Sequence, residues 1–302
     1  MELWSSFDWL SNPVVVIRQF MAGLANGMLL FVVAAGLSLI FGVSRIINFA
    51  HGAIFMLGAY IAFTIVSAIG HSLPAFILAL LGSTIATFLF GVGFEMVFLR
   101  RIYRSQQTFQ LLLTFGLVLV LGDAVRLIWG REENSVSVPT ELAGIVRPFG
   151  VSFPVYRLAL IGIGFAICVA LWALLYRTRW GTLVRAATVD REMLQSLGVP
   201  VRRLFTLVFG LGSGLAGFAG GLAAPIMSIG PGLHAQVLID AFVIVVIGGM
   251  GSLPGALIGA LLVGQANAFG TLAFPTLAIV VPFIVMTVLL VVRPWGLMGK
   301  SE

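Results

Sequence analysis

Eight apolar runs, at about residues 14–41, 53–69, 75–99, 109–129, 155–176, 204–229, 237–268 and 272–292, constrain this chain more than any other feature. A helix of roughly 20 apolar residues crosses the hydrocarbon core of a bilayer. Most of these runs reach that length. With 60% of its 302 residues hydrophobic and 9% charged, the chain lies outside the range of soluble globular domains. The expected fold is therefore all-α: one polytopic transmembrane helical bundle of about eight spans over residues 1–302. No stretch remains for a soluble enzyme domain, so any energy-supplying domain is expected on a separate polypeptide.

The formal charge of +6 lies mostly in short connections between the runs. That pattern fits the bias of cytoplasmic loops toward Arg and Lys and gives no reason to invoke nucleic acid. Arg100, Arg101 and Arg104 mark one cytoplasmic turn. The loop 177–203, with Arg177, Arg179, Arg185, Arg191, Arg202 and Arg203, marks a second. The connection 130–154 mixes Glu132, Glu133 and Glu141 with Arg131 and Arg147 and reads as exterior. The first residues carry Glu2 and Asp8 and no basic segment, so insertion is expected to use the spans themselves. Cys168, the single cysteine, stands inside an apolar run and reads as a small buried residue.

Parity constrains the last third. One crossing for each of the last three runs would leave Arg293 and Lys300 outside. The motif GGMGSLPG at 248–255 resolves this by breaking run 237–268 into two half-helices, re-entrant or twice crossing, and the C-terminus becomes cytoplasmic. A similar interruption at 42–52 separates the first two runs. Paired interruptions in two halves point to transporters built from internal repeats. The N-terminus is outside if the first run crosses once, and inside if it breaks near Asn26 and Gly27.

Asn48 and His51 lie three residues apart and share a face of a helical turn. Hydrogen bonding that holds the broken helix is the favoured reading; contact with a solute is the second. A metal site is not expected, because no carboxylate accompanies His51 and the other histidines, His71 and His234, fall in apparent exterior loops. Glycines at 210–221 and 248–259 permit close helix packing. Gly249, Gly251, Ser252 and Gln265 are the further candidates for a translocation path.

The stretch 36–60, which contains INFAHGA at 47–53, resembles the signature of LivH-type permeases, the inner-membrane subunits of ABC importers for branched-chain amino acids and related solutes. Similarity continues through 181–200, through 248–259 and into the tail RPWGL at 293–297, in the same order and nearly end to end. The resemblance implies a bacterial inner-membrane permease and a related second permease of the LivM type. It also implies two cytoplasmic ATPase subunits and a periplasmic substrate-binding protein. ATP would be used by those partners, and no cofactor would be bound by this chain. In loop 177–203 it implies that Gly181, Arg185, Asp190, Arg191 and Gly198 belong to a short amphipathic helix seated in a cleft of the ATPase. Leu194 departs from the family pattern, which carries a small residue there. The chain holds one lysine, Lys300, and no Walker A motif. Two rivals are weaker. An ion-coupled carrier or channel would need buried acids, which are scarce, and an intramembrane hydrolase would need a nucleophile paired with a base, for which no motif exists.

Overall fold

The computed structural model describes residues 11–103, 105–147, 150–277 and 280–299; Arg104, Lys300, Glu2 and Asp8 lie outside them. Helix α1, Pro13–Ser44, starts where the side chain of Asn12 accepts from the Val14 amide at 3.1 Å with Pro13 at the first helical position. An acceptor ahead of a proline satisfies amides that the first turn leaves free. Helix α1 runs unbroken through Asn26 and Gly27 and stops at Arg45, the one non-glycine residue with positive φ (55°) among those described. Residues 45–50 then fold back without helical structure, and α2, His51–Ile69, begins.

Helix α3, Leu73–Phe94, is capped by Ser72 and continues through a π-helical turn, Glu95–Leu99, into Arg100–Ile102. Next come α4, Gln107–Trp129, a short exterior hairpin of β1, Ile145–Val146, and β2, Phe153–Pro154, and α5, Val155–Arg177. Two short helices follow, α6, Arg179–Val189, and α7, Arg191–Ser196. Helices α8, Val201–Ala223, α9, Leu233–Gly248, α10, Leu253–Ala273, and α11, Val281–Val292, complete the bundle. Seven of the helices are long and apolar enough to cross a membrane; α9 and α11 are shorter apolar helices.

Burial sorts the helices into centre and rim. In α1 and α8, 83% of the most apolar stretch is buried, against 28% in α4 and 22% in α5, so the first pair forms the axis and the second faces outward. Helix α1 packs chiefly on α10 and α8, and α8 on α3 and α2. Close approach depends on glycine at the crossing of α1 and α8, where a Cβ on Gly36 would run into the carbonyl oxygen of Gly212. Small residues at such crossings let van der Waals packing hold helices together in lipid.

Run 237–268 divides as the parity argument requires. Gly249 and Gly251, at φ 96° and 82°, form the turn, Ser252 caps α10 by accepting from the Gly255 amide at 3.1 Å, and Gly248 packs against Gly255. A second interruption has no counterpart in the sequence reading. Between α8 and α9 the chain at 224–232 turns inward from the exterior end. Ile229 and Asn134 exchange backbone hydrogen bonds of 2.9 and 2.8 Å, and the buried Tyr60 hydroxyl donates to the Ile229 carbonyl at 3.5 Å. Helix α9 therefore begins inside the bundle. His234, expected in an exterior loop, sits in its first turn, with its carbonyl against Gly52 of α2. Pro225, Gly230, Pro231 and Gly232 carried that signal, but the apolar residues between them concealed it.

Candidate cytoplasmic coupling surface and central polar cluster

At the basic end, Thr178 accepts from the Gly181 amide at 3.0 Å and starts α6 directly after α5. The close approach of α6 to the end of α5 needs Gly181, because a Cβ there would overlap the carbonyls of Leu174 and Leu175. Where the sequence suggested one amphipathic helix there are two. Asp190, in an extended conformation (φ −147°, ψ 103°), ends α6 and caps α7, accepting from the amides of Glu192 at 3.0 Å and Met193 at 2.9 Å. An Asp in that role competes with helix continuation by giving the next amides a side-chain acceptor. Gly198, at φ 80°, closes the element before Pro200 leads into α8.

The buried face of this element holds Val184, Ala187 and Leu194. Leu194 is the apolar anchor of α7. The opposite face carries Val189 (75% exposed), Met193 (58%) and Leu197 (68%). Exposed side chains on α4 and α5 face where lipid lies, but these three stand among arginines at the aqueous end. An apolar patch rimmed by charge in water marks a protein contact. Arg185 lies 4.8 Å from the centre of the Tyr176 ring, which fixes its guanidinium beside the junction of α5 and α6.

Asn48 and His51 are fully buried at the start of α2. The Asn48 side-chain oxygen accepts from the Ala50 amide at 3.1 Å, and the Asn48 carbonyl accepts from the His51 amide at 3.2 Å. His51 Nε2 donates to the Val33 carbonyl at 2.9 Å, a group eleven residues before the end of α1. At 1.5 Å per residue that is roughly 16 Å from the cytoplasmic end, so α2 begins at mid-depth. The Nδ2 of Asn48 and the Nδ1 of His51 have no partner among the described residues. Gly249, Gly251 and Ser252 are not at this depth. Their turn packs on Gly42 and on Gly296 and Gly299, at the cytoplasmic end. Gln265 lies elsewhere again, donating to the Phe20 carbonyl at 3.0 Å and fitting against Gly23. The candidate path residues thus occupy three levels of one bundle.

One network has no counterpart in the sequence analysis, which found buried acids scarce. Glu95 is fully buried on the π-helical turn; its carboxylate accepts from the Thr206 hydroxyl of α8 at 2.6 Å, from Arg100 at 3.3 Å and from the Tyr103 hydroxyl at 3.0 Å. Burial, and then the charge of Glu95, raise the Tyr103 phenol well above its usual range, so it remains a donor. The contact is invisible in sequence because Glu95 and Thr206 are 111 residues apart.

A multi-pass bundle with α2 and α9 starting at mid-depth, and with apolar side chains offered to water from a basic loop, has the architecture of a transport permease. The chain belongs to the family described as the permease component of branched-chain amino acid transport systems, whose model matches residues 19–290. It is 32% identical over 298 residues to the high-affinity branched-chain amino acid transport system permease protein BraD of Pseudomonas aeruginosa, covering 95% of this chain and 96% of that protein. It is 28% identical over 300 residues to the corresponding permease protein LivH of Escherichia coli K12, with the same coverage. A shorter stretch of 131 residues is 34% identical to the ribose import permease protein RbsC of Escherichia coli K12, covering 41% of this chain and 39% of that one. No solved structure matches.

Proposed function

We propose that this chain is one of two permease subunits of a bacterial inner-membrane ABC importer for branched-chain amino acids or a related small solute. The second subunit is a related permease of the LivM type. A periplasmic binding protein delivers the solute, two cytoplasmic ATPases supply the energy, and this chain binds no cofactor of its own. The reading is supported by family membership over nearly the whole chain and, above all, by one observation. The α6–α7 element presents Val189, Met193 and Leu197 to water while Val184, Ala187 and Leu194 hold it to the bundle. In this reading α6–α7 seats in a cleft of the ATPase, Arg185 and Arg191 frame the contact, and Gly181 and Gly198 set the angles at which the element leaves α5 and enters α8. Asn48 and His51 hold the start of α2 and, with Gly249, Gly251, Ser252 and Gln265, belong to the wall of the path.

The test is ATP hydrolysis by the complex purified with its co-encoded neighbours in lipid nanodiscs. Binding protein loaded with leucine is expected to stimulate it, and Asp190→Arg, which reverses charge at the cap of α7, is expected to abolish the stimulation. Solute flux that follows an ion gradient with no ATPase attached would replace the importer by a carrier.

A further inference from the structure

Helix α9 runs from mid-depth to the cytoplasmic glycine turn, so its whole length lies at the level of hydrocarbon, yet it carries Asp240. The nine residues from Asp240 to Gly249 span roughly 14 Å of helix, against about 15 Å for half of the hydrocarbon slab. Gln236 stands one turn nearer the exterior on the same side of α9 and is exposed, while Asp240 is half-buried. The contacts of Gly255 with Gly248 and of Gly259 with Ile244 fix the register of α10 against α9. Continued in steps of four residues, that register sets Asn267, also half-buried, level with Gln236. None of these three side chains has a hydrogen bond or an ion pair among the described residues. Glu95, the other acid inside the bundle, has three donors. Hydrocarbon cannot be what this side of α9 meets, because an ionisable group at such depth turns to protein or to water. Lipid selects differently: between Gly162 and Trp172 the exposed residues of α5 are Phe165, Ala166, Val169 and Ala170. Charge at this level is also one-sided. No Arg or Lys occurs between Arg203 and Arg293, and the remainder lie in connections or near helix ends. Outside the described residues the only Arg and Lys are Arg104 and Lys300, whose neighbours Tyr103 and Gly299 lie at the cytoplasmic end.

We propose that Asp240, with the amides of Gln236 and Asn267, lines a water-filled part of the solute path and receives the primary ammonium group of an amino acid on its way through. That the occupant is the transported solute rests on the importer reading. A carboxylate in a low-dielectric cleft with no cation beside it attracts a small cation and opposes an anion. The two amides carry donors as well as acceptors, so they can take the carboxylate end of the same solute. A single carboxylate with no fixed cation opposite holds a zwitterion weakly, and conduction needs a site that the solute can leave. The turn of α9 that bears Asp240 thus selects for a positively charged end at mid-depth, a level where the chain offers no guanidinium or lysine ammonium group.

The test is thiol modification of the full complex in lipid nanodiscs, where both faces are open to reagent, without ATP and again with ATP and vanadate. In a Cys168→Ala background, Gln236→Cys is the reporter, and Ala235→Cys, exposed beside it, is the second should the first assemble poorly. Two methanethiosulfonates are compared, one carrying trimethylammonium and one carrying sulfonate, each rate taken relative to that of a free thiol. In at least one of the two states the reporter is expected to react about ten times faster with the cationic reagent. Adding Asp240→Asn is expected to abolish that preference. Leucine and 3-methylbutylamine, which keeps the ammonium, are expected to slow the reaction; 4-methylpentanoate, which lacks it, is not. Leu119→Cys on the lipid side of α4 is expected to react with neither reagent. No reaction at either reporter in both states would show this side of α9 to be covered by the second permease or by lipid and would overturn the proposal. A charge preference that survives Asp240→Asn, protection by 4-methylpentanoate as strong as that by 3-methylbutylamine, or equal reaction at Leu119→Cys would overturn it as well. An unreactive reporter in a complex whose ATP hydrolysis still responds to loaded binding protein leaves the importer reading intact. A cation-selective reporter in a complex that lacks that response removes the importer reading and leaves the acid-lined path.

Discussion

At the scale of single residues, two kinds of position control this molecule: glycines where backbones meet, and one buried acid. A Cβ on Gly52 would overlap the His234 carbonyl oxygen, whereas one on Gly116 of α4 would meet nothing within 4 Å. Gly52→Ala is therefore expected to separate α2 from α9 and to reduce the yield of folded complex in detergent. Gly116→Ala is expected to leave the yield unchanged or to raise stability by up to about 1 kcal/mol, the helix-propensity gain. Equal melting temperatures for the two variants would contradict the mid-depth contact. Glu95→Ala is expected to cost about 3–5 kcal/mol, because Arg100 and Thr206 lose their shared acceptor. Glu95→Gln, which keeps an acceptor oxygen, is expected to cost less. Thermal unfolding in one detergent checks the order. Sequence alone could not reveal the role of Glu95, since its partners are brought in by a π-helical turn and by a helix far along the chain.

At the scale of elements, most of the bundle was legible because the period and length of apolar runs dictate spanning helices. The divided run at 237–268 was legible because charge parity demanded it. The re-entrant 224–232 segment was not. Its Met and Ile residues extend the hydrophobic run of α8, and only contacts with Asn134 and Tyr60 make an irregular backbone tolerable at that depth. The basic loop 177–203 was legible by its charge, yet its division into two helices was hidden, because Asp190 reads equally as a surface charge and as a cap. Two substitutions separate these roles. Asp190→Asn keeps a capping oxygen and removes charge; Asp190→Ala removes both, at about 1 kcal/mol of cap energy. If capping governs coupling, stimulated ATP hydrolysis is expected to survive in Asn and to fall in Ala. Equal loss in both would assign the role to charge.

At the scale of the whole molecule, the helices alternate so that Pro13 and Arg293 lie at opposite ends. Exposed cations concentrate at the end that holds α6, α7 and the start of α8. The positive-inside bias makes that end cytoplasmic. In a Cys168→Ala background, Ser72→Cys is expected to react with a membrane-impermeant maleimide only from the outside, and Ser196→Cys only from the inside. The reverse pattern would invert the entire assignment, coupling surface included.

The length of α1 carries a further consequence at this scale. Its 32 residues span about 48 Å at 1.5 Å each, against a hydrocarbon slab of about 30 Å. The helix at the axis of the bundle must therefore tilt or reach beyond the hydrocarbon slab. Since α1 also holds the start of α2 through Val33 and His51, any change in the tilt of α1 carries the start of α2 with it.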